Sequence, residues 1–459
     1  MRIPKLRRPS GALWSHRDFM KMWTGQTISQ FGSSISQLAL PTIAIKLLHA
    51  SPFAVAALGT VEFLPFLLFT LPAGVWVDRL RRRSVLIVGD VGRGLLLMSV
   101  PLVYLWGTLT MAQLFVVGFL TGVLTVFFDV AYQSYLPALV GAEYLIEGNS
   151  KLEVTRSAGQ LAGPAVAGGL IKLLTAPYAV AWDAVSFFVS GAFLVAIRKK
   201  EPPLEKREDG RRAGMRHELW EGLVYVVKHP YLRPQAISTG TSNFFSNVAF
   251  SILLVFAYRT LGMTVGLVGI VMAIGSAGWL AGAALSPRMQ KWLGVGGATI
   301  FGAALSGPGT LLVALTPKSF PIPFLIAGMA IGGAGAVIYN IQQVSLRQAI
   351  TPERMQGRMN SVMRFLVWGP IPLGALVGGA IATTFGLRTA LVVGAVGGFT
   401  SVLPIVFSPI RKLKEMPAAE EPLPTIAAGE AGLAPTVSSG IDETGAIAGA
   451  GAAAAIDEA

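Results

Sequence analysis

The chain has 459 residues and a formal net charge of +13, and 53% of its residues are hydrophobic while only 13% are charged. A soluble protein of this length cannot bury so much apolar surface, so the mean hydropathy of +0.60 excludes a soluble enzyme and indicates an integral membrane protein. The sequence contains no cysteine, which excludes disulfide bonds and thiol chemistry.

Apolar stretches long enough to cross a bilayer recur along most of the chain. A helix needs about 20 residues to cross about 30 Å of hydrocarbon, and short polar breaks separate the stretches. The sequence therefore predicts an all-α integral membrane protein with twelve transmembrane helices, numbered here as spans 1 to 12. They are predicted at residues 20–46, 53–77, 84–106, 110–135, 150–173, 177–198, 233–258, 264–286, 295–316, 320–346, 361–385 and 388–408.

The basic residues predict the orientation, because cytoplasmic loops retain Lys and Arg. With both termini in the cytoplasm, the outer breaks hold few cations: Lys46, Lys172, Arg259, Lys318 and Arg388. Nearly all other cations then face the anionic inner leaflet, so the positive charge indicates membrane lipid as a partner and no nucleic acid.

The second half of the chain repeats the first at a spacing of about 210 residues. Asn149-Ser150 matches Asn360-Ser361, and Gly168-Gly169 matches Gly378-Gly379 within one residue. We therefore predict two pseudo-symmetric six-helix halves around a central cavity. The predicted domains are an N-terminal bundle at 1–198, a cytoplasmic linker at 199–232, a C-terminal bundle at 233–410 and a cytoplasmic tail at 411–459.

The linker and the tail have different compositions. The linker contains "LWEGLVYVVKHPYLRP", which is predicted to form an amphipathic helix along the inner surface. The tail is rich in Ala, Gly, Pro and Glu and cannot bury enough apolar surface to fold, so it is predicted to be disordered.

Polar side chains recur at helical spacing within spans 1, 4, 7 and 10. Such groups are excluded from lipid unless they face a cavity or another helix. We predict that they line an aqueous cavity, and the alternative is that they join helices by hydrogen bonds worth about 0.6 kcal/mol each. Amide and aromatic walls would suit a bulky amphipathic solute. The predicted lining residues are Thr27, Gln30, Ser34, Gln37, Tyr132, Gln133, Asn243, Asn247, Tyr339 and Gln343.

Two acids lie within predicted spans: Glu62 has no basic residue within a helical turn or two, and Asp183 is nearer the outer face. Glu62 is in "GTVEFLPFLLF" of span 2, and Asp183 is in "AWDAVSFF" of span 6. An uncompensated carboxylate near the bilayer centre costs about 2.5 to 3.5 kcal/mol, and burial without a cation favours its neutral form. Glu62 is therefore the first candidate for a proton carrier and Asp183 the second. The alternative is that Glu62 carries no proton and instead faces an outer vestibule or an undetected partner.

A second group of charges lies near the inner ends of spans 3, 4 and 5: Asp90, Arg93, Asp129, Glu153 and Arg156. Opposite charges at this depth are expected to pair, because each compensates the lost hydration of the other. They form a candidate gate, although a purely structural ion cluster would use the same residues. The four histidines never occur at metal-ligand spacing, so no metal site is predicted.

The segment "GVWVDRLRRRS" between spans 2 and 3 resembles the signature of the major facilitator superfamily of secondary transporters. The matching residues are Gly74, Asp78, Arg79, Arg82 and Arg83, and Arg81 departs from the usual glycine. In that family the acid lies beside the N-terminus of span 11 and helps to keep the inner side closed. The resemblance therefore implies an inner-gate latch, for which we predict that Asn360 and Ser361 mark the start of the span 11 helix.

Span 5 carries a second family mark, similar to the motif of exporters that exchange substrate for protons. It comprises Gly159, Gly163, Pro164, Gly168 and Gly169, with one extra residue before the final pair. Glycine allows close helix approach and proline frees a carbonyl, so we expect a bendable, leak-tight seam. The family's arginine in span 4 is missing. The whole chain resembles the bacterial enterobactin-exporter and macrolide-efflux group.

These features together predict a drug:proton antiporter type of transporter in the bacterial cytoplasmic membrane, exporting an amphipathic small molecule by alternating access. The alternative is an uncoupled facilitator or an importer of a small metabolite. We find no catalytic constellation and no phosphate-binding loop, so neither an enzyme nor a cofactor is expected. The expected partners are the substrate, protons and membrane lipid, and the expected state is a monomer.

Overall fold

The structure is a computed structural model that describes residues 12–77, 79–141, 144–199 and 215–417. Within these ranges the regular secondary structure is helical, as predicted for an all-α membrane protein. In the first half the helices are Arg17–Thr42, Pro52–Val77, Arg82–Leu105, Met111–Val140, Leu145–Leu174 and Ala176–Val195. The remaining helices are Met215–Lys228, Leu232–Phe250, Leu253–Val255, Val265–Gly275, Ala277–Ala304, Ser306–Ala314, Pro321–Ile350, Glu353–Trp368, Pro370–Phe385, Leu387–Thr400 and Leu403–Val406.

Nine stretches of the described chain are long and apolar enough to cross a membrane. Predicted spans 1 and 5 lie on helices that are too polar to meet this criterion, and predicted spans 8 and 9 fall together in one 50-residue stretch, Val265–Ala314. Every predicted span lies on helical chain, but the number that crosses the membrane stays a prediction.

Local sequence signals explain several helix ends. The side chains of Thr110 and Thr264 accept hydrogen bonds from backbone N–H groups three residues later and so cap spans 4 and 8. Gly294 interrupts the helix Ala277–Ala304 with a φ of 72°, a conformation that favours glycine. A Cβ at Gly294 would also lie 2.9 Å from the Cα of Lys414, so both the backbone and the space require glycine.

Four apolar clusters among the described residues show where the two halves touch. The largest cluster contains residues of both halves, for example Leu38 and Ala176 with Phe256 and Leu391. Each of the other three belongs to one half: one is built around Phe19 in the N-terminal half, and two lie in the C-terminal half. The shared cluster includes the ends of spans 1 and 7 that are predicted to face outward, and we call this side of the bundle the outer end.

The predicted linker helix is present as Met215–Lys228 and packs against the helix Glu353–Trp368. At the other end of the chain, the backbone N–H groups of Val295 and Gly296 donate to the carbonyls of Lys414 and Leu413. The chain therefore stays packed beyond the predicted tail boundary at residue 411. The predicted disorder of 418–459 lies outside the described residues.

Candidate functional site

The outer ends of spans 1 and 7 are built alike and bind each other. Each span ends in a π-helical turn, Ile43–Leu47 in span 1 and Phe256–Thr260 in span 7. The hydroxyls of Thr42 and Tyr258 are 3.0 Å apart, and Arg259 donates to the carbonyl of Ala50 at 2.6 Å. These bonds join the two halves at the outer end.

A second seam joins span 5 of the first half to span 8 of the second. A Cβ at Gly168 would lie 3.1 Å from the Cα of Gly269, and a Cβ at Gly269 would collide with the carbonyl of Pro164. The predicted motif of span 5 therefore divides between two partners. Its proline and Gly168 contact span 8, Gly159 and Gly163 contact span 1, and a Cβ at Gly169 would meet open space.

A third seam joins span 2 to span 11. The hydroxyl of Thr60 donates to the carbonyl of Pro372 at 3.3 Å, and the backbone N–H of Phe53 donates to Thr383 at 3.2 Å. The rings of Phe63 and Trp368 lie 6.1 Å apart in the same interface. The hydrogen bonds named here and in the first seam join the halves through residues of spans 1, 2, 7 and 11 and through Ala50, which lies in the break after span 1.

Glu62 lies beside the third seam, in a notch on span 4. Gly118 and Gly122, one turn apart, form the notch, and a Cβ at Gly118 would lie 2.9 Å from the Cγ of Glu62. The Oε1 of Glu62 is buried and has no hydrogen-bond partner among the described residues. The first candidate proton carrier thus lies in the close contact between spans 2 and 4. Its neighbours in sequence, Thr60 and Phe63, contact span 11 of the other half.

Asp183 is held more firmly than Glu62. It is 1% exposed on span 6 and faces Gly32 of span 1, where a Cβ would lie 2.5 Å from its Oδ1. The hydroxyl of Ser186 donates a hydrogen bond to the same oxygen at 3.2 Å. The second candidate is therefore part of the contact between spans 1 and 6.

Asp90 and Arg93 form a buried ion pair on span 3. Arg93 Nη2 donates to Asp90 Oδ1 at 2.5 Å. The side chain of Arg93 is 7% exposed and that of Asp90 is 0% exposed. The guanidinium also lies 4.2 Å from the ring centre of Phe128 and 4.3 Å from that of Phe187. The pair is enclosed by spans 3, 4 and 6, so it belongs to the interior of the first half.

The other charges of the predicted inner cluster are placed differently. Asp129, Glu153 and Arg156 are exposed. Arg93, Arg156 and Arg364 are close enough for their charges to act on Asp129. Ion pairs within 4 Å among the described residues are Lys21–Asp18, Arg93–Asp90, Lys151–Glu147 and Arg358–Glu221. The structure thus brings an acid of span 4 near arginines of both halves without pairing it directly.

Three of the predicted cavity residues of span 1 pack against span 5. The hydroxyls of Thr27 and Thr155 are 3.4 Å apart. Cβ atoms at Gly159 and Gly163 would lie 3.0 Å from Gln30 Cγ and 2.5 Å from Ser34 Oγ. These polar groups therefore take part in a helix contact, which was the alternative interpretation, whereas Gln37 is exposed.

The predicted lining residues of spans 4, 7 and 10 are also mostly bonded to neighbours. Tyr132 stacks on Phe128 with ring centres 5.9 Å apart, while Gln133 is exposed. In span 7, Asn243 Nδ2 donates to the carbonyl of Val367 at 2.8 Å, and Asn247 Nδ2 donates to the carbonyl of Asn243 at 2.9 Å. In span 10, the hydroxyl of Tyr339 lies 2.7 Å from that of Thr239, and Gln343 Nε2 donates to Asn340 Oδ1 at 3.1 Å. Tyr339 and Gln343 are buried.

The sequence profile of the Major Facilitator Superfamily matches residues 22–370. The chain belongs to the Major Facilitator Superfamily. Its family and its fold are those of membrane transporters.

Curated relatives of this superfamily member include bacterial efflux proteins. It is 29% identical to the multidrug efflux pump Tap of Mycolicibacterium fortuitum over 416 residues, which cover 85% of this chain and 95% of that one. It is 23% identical to macrolide efflux protein A of Streptococcus pyogenes over 377 residues, which cover 81% of this chain and 90% of the relative.

Solved structures share the superfamily fold. A bacterial homologue of the iron transporter ferroportin in its inward-facing state has a TM-score of 0.69 at 15% identity, covering 85% of this chain and 98% of that one. An outward-facing structure of such a homologue has a TM-score of 0.53 at 16% identity and the same coverage.

The superfamily signature after span 2 is only partly visible. Asp78 lies outside the described residues, so its predicted contact with span 11 is not described. Arg83 donates from Nε and Nη2 to the carbonyls of Leu194 and Val195, which attaches the loop to the end of span 6. Arg79 is exposed, Arg82 is half-buried, and a Cβ at Gly74 would meet nothing within 4 Å.

The predicted start of the span 11 helix is wrong. The helix begins at Glu353 rather than at Asn360 and Ser361, because polar and basic residues of "ERMQGRM" form its first two turns outside the apolar stretch. The N-terminus at which a latch acid was predicted to lie is therefore about two turns earlier in the chain than Asn360 and Ser361.

Sequence reasoning missed the outer seam residues Thr42, Tyr258 and Arg259. The only available signal was the pair of rare outer cations, Lys46 and Arg259, at equivalent positions in the repeat. In the structure the Lys46 ammonium lies 4.8 Å from the ring centre of Tyr258, so both cations contact the opposite half.

Proposed function

We propose that this transporter exports an amphipathic small molecule in exchange for protons, and that Glu62 carries the proton. The observation that carries the proposal is the position of Glu62, whose Oε1 is buried in the notch of Gly118 and Gly122 without a described partner. A carboxyl in such a place is most easily accommodated as the neutral acid and becomes costly when it ionises.

The neighbours of Glu62 provide a route from protonation to movement. Thr60 and Phe63, two residues before it and one after, contact Pro372 and Trp368 of span 11. This seam has to separate when the outer end opens, since it joins the two halves. A charge that appears or disappears on Glu62 would change the free energy of the seam and so bias the two states.

The energy of a proton is sufficient for this coupling. One charge that moves down a membrane potential of 100 mV releases about 2.3 kcal/mol, which shifts a two-state equilibrium about fifty-fold. Asp183 is the second candidate, but its contact with Gly32 and Ser186 favours a structural role.

The export direction and the substrate class rest on the efflux relatives and on polar and aromatic side chains of spans 1, 4, 10 and 11. Gln37, Gln133 and Asn340 are exposed and supply amides, and Tyr132 and Trp368 supply rings. We place the protein in the cytoplasmic membrane as a monomer with both termini inside, and we assign the latch of Asp78 and the exposed charges Asp129, Glu153 and Arg156 to closure of the inner end. In this mechanism the bundles 1–198 and 233–410 rock against each other.

The test is uptake of macrolides and amphipathic dyes into inverted vesicles with an imposed pH gradient. The Glu62→Gln variant should lose gradient-driven uptake by at least ten-fold while it retains substrate binding and exchange without a gradient, because a fixed neutral side chain cannot release a proton. Glu415→Gln, an exposed acid near the end of the bundle, is the matched control and should behave as wild type.

Unchanged uptake by the Glu62→Gln variant would remove Glu62 from the mechanism. Equal wild-type transport with and without the pH gradient would favour an uncoupled facilitator, and accumulation in the opposite direction would favour an importer.

A further inference from the structure

A groove outside the proposed transport path runs between the linker helix and spans 7 and 11. Its volume is about 500 Å³, within the range of small-molecule sites. Val226 and Val227 of the linker helix form one wall, Ile237 and Phe244 of span 7 form the second, and Pro370 belongs to the third. The lining is therefore mainly aliphatic and aromatic.

The groove is open to its surroundings along an apolar edge. Val227 and Ile237 are 46% and 47% exposed, and the neighbouring Trp220 of the linker helix is 65% exposed. In a membrane protein an apolar edge of this kind faces hydrocarbon chains rather than water. The occupant must therefore be able to enter from the bilayer.

One end of the groove carries positive charge. Arg233 lines it and is exposed, and Lys228, the last residue of the linker helix, is exposed as well. The nearby Glu221 is already paired with Arg358, and the sequence from residue 222 to residue 352 contains no Asp or Glu. Among the described residues neither Arg233 nor Lys228 takes part in an ion pair, so the positive charge at this end of the groove suits an anion supplied from outside the chain.

We propose that this groove binds one anionic phospholipid of the inner leaflet, with an acyl chain along Ile237 and Phe244 and the phosphate at Arg233. Basic pockets between membrane helices on the cytoplasmic side are suited to anionic head groups. The occupied groove connects the linker helix to span 11 near Gly369, where its two helical segments meet.

The experiment is native mass spectrometry of the purified full-length protein with added dioleoyl phosphatidylglycerol or dioleoyl phosphatidylcholine. The wild type should bind one phosphatidylglycerol more tightly than phosphatidylcholine. Arg233→Gln should weaken phosphatidylglycerol binding about five-fold and phosphatidylcholine binding by less, because the choline cation already compensates the phosphate that Arg233 would contact. Ile237→Trp should weaken both lipids, because it fills the groove.

Matched controls lie elsewhere on the surface. Arg288→Gln removes an exposed cation on a different face, and Ile274→Trp enlarges a side chain of 50% exposure on span 8, so both should bind lipid as the wild type does. Equal binding of the two lipids by the wild type, or an equal loss in Arg233→Gln and Arg288→Gln, would overturn the proposal. If Arg233→Gln does not fold, the comparison of lipid binding by Ile237→Trp and Ile274→Trp tests whether the groove is the binding site. None of these results depends on the direction or coupling of transport.

Discussion

The two halves share helix order but differ in how they hold polar groups in their interiors. The first half buries ionisable groups, namely the Asp90–Arg93 pair, the carboxyl of Asp183 and the Oε1 of Glu62. The described interior of the second half buries no carboxyl group: its buried polar side chains include Gln235, Gln342 and the Tyr339–Thr239 pair, and the Nε of the cationic Arg347 is buried there as well. From residue 222 to residue 414, Glu353 is the only acid in the sequence.

This difference indicates a division of roles between the halves. A neutral amide or hydroxyl keeps the same charge across the physiological pH range, whereas a carboxyl gains or loses charge with a proton. Coupling to protons is therefore expected in the first half. The second half can supply hydrogen bonds to the substrate without responding to pH.

The strongest way to test the charged half is to remove one partner of its ion pair. Arg93→Met should destabilise the protein by about 3–5 kcal/mol, because it leaves the carboxylate of Asp90 buried and uncompensated. Thermal unfolding in detergent measures the effect, with Arg288→Met as a control for loss of an exposed arginine. The double variant Asp90→Asn with Arg93→Met should recover part of the loss, and an equal or larger loss in the double variant would contradict the charge argument.

The neutral half is tested by giving it a buried charge. Gln235 is 0% exposed and neither polar atom of its amide has a partner among the described residues. Gln235→Glu should cost about 2.5–3.5 kcal/mol, the scale of an acid placed inside a membrane helix. The exposed Gln133→Glu is the control, and wild-type unfolding of the Gln235→Glu variant would mean that this interior tolerates charge and that the two halves do not differ as proposed.

Loss of a neutral hydrogen bond should have a smaller effect. Tyr339→Phe removes the 2.7 Å bond to Thr239 and should cost about 0.5–1.5 kcal/mol. Tyr178→Phe at a partly exposed position is the matched control for loss of a phenol. A loss as large as that of Arg93→Met would place an essential polar network in the second half.

The smallest effect is expected at the exposed acid of span 4. Asp129→Asn should change the free energy of unfolding by less than about 0.5 kcal/mol, because the carboxylate is exposed and forms no ion pair among described residues. The same unfolding assay measures it. A large destabilisation would show that Asp129 belongs with the buried charges rather than with the residues proposed to close the inner end.

Local spacing allowed part of the site to be predicted. Asp90 and Arg93 are three residues apart, so a helix places them on one face and the predicted pair forms. The glycines of span 5 were expected at a helix seam: Gly159 and Gly163 lie at one and Gly168 at another, whereas a Cβ at Gly169 would contact neither. The polar residues Gln30 and Ser34 were not assigned to their glycine partners, because a polar face at helical spacing suits a cavity and a helix contact equally.

The sequence by itself determined which segments are apolar enough for the membrane, where charge occurs within them and that the chain repeats. These properties depend on residues within a few turns of each other, and helix geometry fixes them. Only the tertiary structure decided that Glu62 enters the notch of Gly118 and Gly122, and that Thr42 meets Tyr258 across the outer end. Such contacts join residues far apart in sequence, so they depend on how each helix is rotated and which neighbour it packs against.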